Sequence, residues 1–385
     1  MAKLPFTVEE KHLNTGLRGF PVGTVWTSKV DPQKGVSYVG YPIQELVELS
    51  SEEVIYLLLY KKLPSEEEKA SFSQELVERS KVSEEVLDLL SALPARAHPM
   101  TWLQCGIQYL GIDRCEDYLE DGLNLISRIS EVVAAIFRLR AGWGDPIPSK
   151  PDLGYVENFV HMLGVPQSHP HLMDVLKAFH ILHLDHGGGN LSTFTGKAVA
   201  SGLADMYTSL SAAMGGLSGP RHGRANQDCL RFVQEIGSPE EGHIRSVIER
   251  KLANKELIYG FGHAVLRAED PRAAVQYELA ERYFADDRNV QIVLQLRRIV
   301  PSILGKIEKI ANPYPNVDAV SGSLLHAAGL RDPEYYTVLF GWSRVVGIVA
   351  QIIDERLYFR GGKGVPIYRC LYLAENQPER HLERG

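Results

Sequence analysis

The feature that most constrains the fold is a helical spacing of apolar residues that recurs along most of the chain. Between Ile126 and Gly142 the apolar positions fall on one face of a helix, and the run stops at a glycine. Four further runs have the same character, at 172–183, 198–217, 289–311 and 335–357. Apolar residues at this spacing form the buried stripe of an amphipathic helix. The sequence therefore predicts a mainly α protein.

Helix starts and one strand-like stretch complete this prediction. Ser50 with Glu53, and Ser65 with Glu68, have the spacing of a capping box, in which two side chains satisfy backbone N–H groups at a helix start. Only "GTVWTSKVDPQKGVSYVGYPI", residues 23–43, alternates in the manner of a β-hairpin. We therefore expect helices throughout and a small β element near the N-terminus.

Length and composition are those of an ordinary globular protein. The chain has 385 residues, 44% hydrophobic and 23% charged, enough for a large core split into more than one domain. A net charge of -7 argues against general binding of nucleic acid. The four cysteines form no CxxC pair, which argues against a zinc ribbon or a disulfide scaffold and fits a reducing compartment.

The sequence also bears on membranes and location. The first residues, "MAKLPFTVEEKHLNTG", contain no apolar core of signal-peptide length, and polar residues interrupt the apolar run "VVGIVA" at 345–350 on both sides. We expect no membrane association and a cytoplasmic location. The mitochondrial matrix is the alternative, if a cleaved targeting segment precedes this chain.

Two turns rich in glycine and proline divide the helical runs. They are "GGLSGPRHGRAN" at 215–226 and "NPYPNVDAVSG" at 312–322, the best candidates for points where the chain crosses between domains. Both carry polar side chains at the bend. Binding residues commonly sit on loops held by a rigid scaffold, so we expect an active site near these turns.

Three chemically useful side chains lie in turns of this kind. His222 is in the first turn, Asp318 is in the second, and His263 follows Gly260 and Gly262 in "GFGHAV". The glycines allow positive φ and close approach of the backbone, so we expect the His263 ring to be presented to a ligand. Two histidines and a carboxylate form a plausible acid/base set. Taken singly, each side chain is more typical of a helix cap or a water site, and it is the coincidence of all three that favours an acid/base set.

A second cluster of histidines lies in "HILHLDHGGGN". His180, His183 and His186 recur every three residues with Asp185 among them, which is one possible metal site. Zinc helices usually place ligands at i and i+4 with a further ligand elsewhere, so this spacing fits poorly. We predict no metal, a partly structural His183, and a His186 that ends the helix and faces a cleft.

Together the motifs resemble those of one enzyme family. "HLDHGGGNLSTFT", "AAMGGLSGPRHGRANQ", "GFGHAVLRAEDPR", "PNVDAVSG" and "YYTVLFGWSRVVGIVAQII" occur in the order and approximate spacing of citrate synthases, over roughly residues 170–370. "ARAHPM" at 95–100 extends the similarity more weakly. The sequence looks closest to the mitochondrial-type branch, because His263 is followed by Ala-Val-Leu-Arg.

The resemblance implies a citrate synthase-like multi-helical fold, with large and small helical domains around a cleft. The large domain would comprise residues 1–222 and return as 323–385 with a C-terminal arm, and the small domain would be 223–322. The resemblance also implies a homodimer in which an arginine is shared across the subunit interface.

The implied reaction joins the methyl carbon of acetyl-CoA to the ketone carbon of oxaloacetate and then hydrolyses citryl-CoA to citrate and CoA. By resemblance Asp318 is the base, His222 stabilises the enol(ate), and His263 polarises the oxaloacetate carbonyl. Acetyl-CoA is a co-substrate, and neither a cofactor nor a metal is implied.

The resemblance also assigns binding residues. The oxaloacetate-binding residues are His186, Arg272, Arg344 and, from the partner subunit, Arg369, with Arg360 as the alternative to Arg369. The CoA-binding residues are Leu257, Ile258, Gly260, Gly262, Arg267 and Asn316. Planar guanidinium forks suit a dicarboxylate because they bind each carboxylate through two parallel hydrogen bonds.

Two alternatives stay open. A 2-methylcitrate synthase using propionyl-CoA would keep every catalytic group, and one methylene changes discrimination by only about 1 to 3 kcal/mol. A non-catalytic relative that binds CoA or a carboxylate is disfavoured, because all three chemical residues are present. The sequence departs from the family at Gly187, where an acidic residue is common.

Overall fold

A computed structural model describes Gly16 and residues 23–369 of the chain. Near the N-terminus three short antiparallel strands form one sheet in the order β1 (Ser28–Asp31), β2 (Gly35–Tyr38) and β3 (Tyr41–Pro42). Ser28 lies opposite Tyr38 across the first pair. The predicted β element is confirmed, with a third strand that the hairpin pattern did not indicate.

The rest of the described chain is helical, as predicted. The α-helices are α1 (Ile43–Leu46), α2 (Ser51–Tyr60), α3 (Glu66–Arg79), α4 (Glu84–Ala92), α5 (Pro99–Leu110), α6 (Tyr118–Ala141), α7 (Tyr155–Leu163), α8 (Leu172–His183), α9 (Leu191–Ser201), α10 (Met206–Leu217), α11 (Ala225–Ile236), α12 (Glu241–Ala253), α13 (Pro271–Tyr283), α14 (Arg288–Leu304), α15 (Asp318–Ala327) and α16 (Tyr336–Ile353). Short 3₁₀ turns precede α6 and α16, and a π-helical turn, Asp354–Tyr358, continues α16.

The predicted helix signals form as expected. Both capping boxes are present, at Ser50 with Glu53 and at Ser65 with Glu68, with reciprocal hydrogen bonds to the backbone. Helix α6 ends at Gly142, whose φ of +70° closes the last turn in a conformation that favours glycine. Local chemistry therefore determines these helix ends.

Two predicted runs differ from the structure. The prediction of one helix over 198–217 is wrong. Helix α9 ends at Ser201, the chain turns through Leu203 at a φ of +65°, and Asp205 caps the start of α10. The run 289–311 stops at Leu304, shortly after Pro301, which has no N–H for the helix ladder. In both runs turn chemistry overrides the apolar period.

Helix α16 is the centre of the core, because every one of its residues is buried. It packs against α6, α8 and α10, and the aromatic ring of Trp342 stacks on that of Phe159. The segment Pro333–Tyr358 is long and apolar enough to cross a bilayer, but its apolar window lies entirely inside the fold. Its apolarity is accounted for by burial in the protein.

A second group of helices, α11 to α15, packs mainly within itself around α15. It faces the first group where α13 and α15 contact α8 and where α11 contacts α16. The small domain predicted at 223–322 covers most of this group, but position 322 falls inside α15, which continues to Ala327, and the division into domains stays a prediction. The candidate site lies where the two groups meet, at the approach of His186 to His263.

Candidate active site

His186 lies in the loop after α8, in the cleft between the two helix groups. Helix α8 ends at His183, so His186 is beyond its end and not on it. The imidazole ring lies 5.7 Å from that of His263, which comes from the other group. Burial, together with Arg272 and Arg344, holds the pKa of His186 well below its usual range. Its Nε2 is buried without a partner among the described residues, which leaves it available to a ligand.

Asp185 holds this loop in place. Its carboxylate is fully buried and accepts hydrogen bonds from the hydroxyl of Thr27, from Ser28 Oγ at 2.8 Å and from Gln351 Nε2 at 2.8 Å. The same Ser28 Oγ accepts the backbone N–H of Gly187 at 2.7 Å. The residues on both sides of His186 are thus tied to one hydroxyl of β1. At Gly187 the backbone has a φ of +65°, a conformation that favours glycine.

Arg344 projects from α16 and is 1% exposed. Its hydrogen bond to the described residues runs from Nε to the carbonyl oxygen of His183 at 2.9 Å, and its guanidinium lies over the Phe340 ring. Burial lowers the pKa of Arg344 to about 10, so the group stays charged near neutral pH. A buried cation without a carboxylate partner among the described residues is a site for an anionic ligand.

Arg272 is the second buried guanidinium, at the start of α13. Its Nε and Nη2 donate to the carboxylate of Asp270 at 3.1 Å and 2.7 Å, and Asp270 also caps α13. Burial alone would lower the pKa of Arg272, but the ion pair outweighs burial and raises it. The pairing orients the guanidinium and leaves Nη1 without a partner among the described residues. Sequence analysis did not identify this function of Asp270.

His263 has a defined tautomer in this structure. Its Nδ1 accepts the backbone N–H groups of Val265 at 3.0 Å and Leu266 at 2.9 Å. Burial, and then Arg272, lowers the pKa of the ring, so the imidazole is neutral at neutral pH. Because Nδ1 is an acceptor, the proton of the neutral ring is on Nε2. His263 therefore presents an N–H donor to the cleft.

Asp318 is the first residue of α15 and not part of a turn, although the preceding residues are a turn as predicted. Its side chain is partly accessible from the cleft, yet the surrounding protein buries the carboxylate enough to raise its pKa to about 6, with Arg272 opposing this effect. A carboxyl group with this pKa is mostly ionised at neutral pH and more basic than an exposed one.

His222 lies in the turn before α11 and contacts Ser192, near the start of α9. The distance between His222 Nε2 and Ser192 Oγ is 2.8 Å, and Ser192 Oγ is also 2.9 Å from the side-chain oxygen of Asn190. Burial, and then Arg344, lowers the pKa of His222 to about 4. The ring is therefore neutral, and the single hydroxyl proton of Ser192 goes either to Asn190 or to His222.

The residues predicted to bind CoA lie on one pair of loops. The backbone of 260–262 pairs with 314–316 through hydrogen bonds from Gly262 N to Tyr314 O and from Asn316 N to Gly260 O. Gly260 and Gly262 have φ of +81° and +89°, so both positions favour glycine. The side chain of Leu257 is exposed and that of Ile258 is buried. Arg267 is exposed, and its guanidinium folds back over the carbonyl oxygens of residues 263–266.

The two candidate cross-subunit arginines lie away from these loops. Arg360 and Arg369 are both exposed. The residue before Arg369, Tyr368, is fixed by its N–H to Ser201 Oγ and by its hydroxyl to Glu355, next to the end of α9. Neither arginine contacts Arg272 or Arg344 within the described residues.

The histidine cluster considered for a metal is dispersed. His180 Nδ1 lies 3.0 Å from Ser51 Oγ, and His183 Nδ1 contacts the carbonyl oxygen of Phe179, while His186 turns into the cleft. Burial lowers the pKa of His180 and of His183 to about 3. In the described ranges no group of three or more His, Cys, Asp or Glu side chains is arranged to hold a metal ion.

The arrangement brings two buried guanidinium groups, a carboxyl group of raised pKa and neutral imidazole rings together where two groups of helices meet. A family model described as "Citrate synthase, C-terminal domain" matches residues 16–369. The chain therefore belongs to the citrate synthase family, whose members are transferases.

Individual relatives agree with this assignment. "Citrate synthase 4, mitochondrial" of Arabidopsis thaliana is 38% identical over 372 residues, covering 89% of this chain and 78% of the relative. The citrate synthase of Pyrobaculum aerophilum is 28% identical, with a TM-score of 0.85 and coverage of 96% of this chain and 93% of that one. A ternary complex of the Thermoplasma acidophilum enzyme with carboxymethyl coenzyme A and oxaloacetate shares the fold, at 24% identity and a TM-score of 0.84 over 96% of this chain and 98% of that one.

Proposed function

We propose that this chain condenses acetyl-CoA with oxaloacetate and hydrolyses the citryl thioester to citrate and CoA. The observation that carries the proposal is a pair of buried guanidinium groups, those of Arg272 and Arg344, that both lie near Asp318, a carboxyl group of raised pKa. Family membership supports the same reaction. The reaction needs no cofactor or metal, because acetyl-CoA itself supplies the acyl group.

Oxaloacetate is a dianion, and two buried cations are the complementary receptor for it. Arg344 offers both Nη groups of its fork, because only Nε is used by His183. Arg272 offers Nη1, held in orientation by Asp270. His186 adds the unpartnered Nε2 in the same cleft. Charge-assisted bonds from fixed guanidinium groups orient a dicarboxylate as well as bind it.

The ketone of oxaloacetate must become electrophilic for the carbon–carbon bond to form. His263 donates its Nε2 proton to the ketone oxygen and stabilises the alkoxide that develops there. A neutral imidazole donor does this without giving up its proton, because Nδ1 is held by the N–H groups of Val265 and Leu266. Its orientation is thus fixed before the substrate binds.

The methyl group of acetyl-CoA must lose a proton before it can attack. Asp318 accepts this proton, and its raised pKa of about 6 makes it a better base than an exposed carboxylate while leaving it ionised at neutral pH. His222 donates from Nδ1 to the enolate oxygen. That donation requires the proton of neutral His222 on Nδ1, so the Ser192 hydroxyl must turn from Asn190 Oδ1 and donate its hydrogen bond to His222 Nε2.

CoA binds along the loops that carry His263. Backbone groups of Leu257, Ile258, Gly260 and Gly262 contact the CoA part of the substrate. The Arg267 side chain binds the CoA phosphates after its guanidinium releases the carbonyl oxygens of residues 263–266. The exposed side chain of Leu257 supports this placement. The Thermoplasma acidophilum neighbour has been solved with a CoA derivative and oxaloacetate together.

The site is completed in a homodimer, with Arg369 of each chain supplied to the partner's oxaloacetate. Arg369 is exposed and follows Tyr368, which is fixed beside the end of α9. Arg360 is the alternative. The two helix groups act as large and small domains that close on the substrates. The mitochondrial names of the plant relatives favour the mitochondrial matrix over the cytoplasm.

A thiol-release assay tests this proposal. Purified protein is given oxaloacetate with acetyl-CoA or with propionyl-CoA, and free CoA is followed with a thiol reagent. We expect release with acetyl-CoA that depends on oxaloacetate. A higher kcat/KM with propionyl-CoA would identify a 2-methylcitrate synthase instead. Binding of both ligands without thiol release would identify a non-catalytic relative.

A further inference from the structure

We propose that Asn316 is a positioning residue that fixes the base Asp318 relative to the ketone-polarising His263. The inference rests on the proposed function, and it changes the role predicted for Asn316 from the sequence, a contact with CoA. Asn316 lies between the two loops that carry these groups, in a partly exposed position at the end of the 312–316 turn.

All four polar groups of Asn316 are used inside the protein. The side-chain oxygen accepts the backbone N–H of Asp318 at 3.0 Å, and Nδ2 donates to the carbonyl oxygen of Gly262 at 2.9 Å. The backbone N–H of Asn316 donates to Gly260 O at 2.9 Å, and its carbonyl oxygen accepts from Ala319 N at 3.1 Å. One side chain thus bridges the residue before His263 to the backbone of Asp318.

This bridge matters because it joins the residue before His263 to the backbone of Asp318, and the side chains of His263 and Asp318 act on the two carbons that react. Asp318 acts on the methyl group, and His263 acts on the ketone that this methyl carbon attacks. The separation between these groups sets the approach of the two carbons, and a misplacement of about 1 Å can cost about 100-fold in rate. Backbone hydrogen bonds also join the two loops, but among the described contacts the Asn316 side chain is the one that links Gly262 to the backbone N–H of Asp318.

The two roles predict different kinetics. If Asn316 positions the groups, its loss lowers kcat and leaves substrate affinities nearly unchanged, because the interaction matters only when both reacting carbons are present. If Asn316 instead contacts CoA, its loss raises the KM for acetyl-CoA and leaves kcat nearly unchanged.

The experiment compares Asn316→Ala and Asn316→Asp with the unmodified protein. Asn316→Asp keeps the acceptor for Asp318 N but loses the donor to Gly262 O, and it places a second carboxylate beside the base. Asn312→Ala is the matched control. Asn312 makes a similar bond to Tyr314 N in the same turn and also contacts Ala268 O, but it bonds neither Gly262 nor Asp318. Thermal unfolding of each variant is recorded first.

We expect Asn316→Ala to lower kcat by about 10- to 100-fold while the KM for each substrate stays within about threefold. Asn316→Asp should also lower kcat and move the acid limb of the pH–rate profile to higher pH, because a neighbouring carboxylate disfavours ionisation of Asp318. Asn312→Ala should lower the unfolding midpoint but keep kcat within about threefold.

The inference is overturned if Asn316→Ala keeps kcat and raises only the KM for acetyl-CoA, or if Asn312→Ala lowers kcat as much as Asn316→Ala does. It is also overturned if the acid limb of Asn316→Asp does not move. Failure of the proposed function is a separate result, since the unmodified protein would then release no thiol from acetyl-CoA and oxaloacetate.

Discussion

The two walls of the cleft are held in place by different physical means. On the helix wall, Arg344 lies on the fully buried α16, and His186 is clamped by Asp185 and Ser28. On the loop wall, residues 257–263 depend on a few hydrogen bonds to 314–316, and nearby side chains such as Leu257 are exposed. The helix wall is part of the core, whereas the loop wall is held mainly by hydrogen bonds between two loops.

This difference separates recognition from chemistry. The vacant guanidinium of Arg344 and the orphan nitrogen of His186 are on the helix wall, so recognition of oxaloacetate draws largely on a rigid surface. Of the residues assigned to the chemical step, His263 is on the loop wall and Asp318 begins α15 directly after it. Changes on the loop wall should therefore reduce turnover more than oxaloacetate binding, and changes on the helix wall should do the reverse.

The largest effect should come from the base that directly follows the loop wall. Asp318→Asn removes the proton acceptor and retains the shape, so we expect kcat to fall by about 100-fold or more. Oxaloacetate should still bind, because Arg344 and His186 are unchanged. Thiol release measures the first effect and calorimetry the second. Turnover within about tenfold of the unmodified protein would exclude Asp318 as the base.

A smaller loss should follow from a change on the helix wall. Arg344→Lys keeps a cation but loses the planar fork, and a hydrogen bond to a charged group contributes about 1.5 to 3 kcal/mol, or roughly 10- to 150-fold in affinity. Calorimetry should show this loss for oxaloacetate and little change for acetyl-CoA.

A matched control for Arg344→Lys is Arg140→Lys. Arg140 is half-buried, paired with Glu334 and stacked on Tyr335 outside the cleft, so its replacement should leave oxaloacetate affinity unchanged. Equal losses of affinity in both variants would mean that Arg344 acts only through stability.

The effect of bound oxaloacetate on the affinity for acetyl-CoA should be similar to or smaller than the effect of Arg344→Lys on oxaloacetate affinity. If oxaloacetate contacts both walls, it favours a closed state and raises the affinity for acetyl-CoA, and linkage requires the same factor in reverse, typically about 5- to 150-fold. Bound oxaloacetate should also protect the 215–226 and 312–322 turns from proteolysis. Independent binding with unchanged protection would exclude closure of two domains and leave the catalytic assignments standing.

The smallest effect concerns pH. Burial raises the pKa of Asp318 to about 6, and a base must be unprotonated to act. We therefore expect kcat/KM for acetyl-CoA to fall as the pH drops below about 6, approaching tenfold per pH unit. Circular dichroism at each pH verifies that the protein is folded. A profile that stays flat down to pH 5 would show that the carboxylate is less buried in solution than in this structure.

The sequence predicted the helical class well and the breaks within it poorly. Capping boxes at Ser50 and Ser65 depend on residues three positions apart, so local pattern was sufficient. The break between α9 and α10 includes Leu203 at positive φ, a conformation its residue type does not indicate. The apolar periodicity predicted one continuous helix across this turn because apolar residues lie on both sides of it.

The candidate site shows the same division. The histidines, the arginines and Asp318 stood out in glycine- and proline-rich motifs, and the structure brings His186, His263, Arg272, Arg344 and Asp318 around one cleft. Their roles remain predictions. Ser28 was missed altogether, and Asp185 was considered only as a metal ligand. Their contact joins residues 157 positions apart, which no local pattern indicates.

The sequence by itself determined which segments become helices, which residue types are available for chemistry, and which family the motifs resemble. Only the tertiary structure decided the protonation of those groups. The pKa of Asp318 and the vacant fork of Arg344 arise from burial and from partners supplied by other segments, whereas the neighbouring residues Val265 and Leu266 set the tautomer of His263. The first two properties depend on the local dielectric environment and hydrogen-bond geometry, which exist only once distant parts of the chain have packed together.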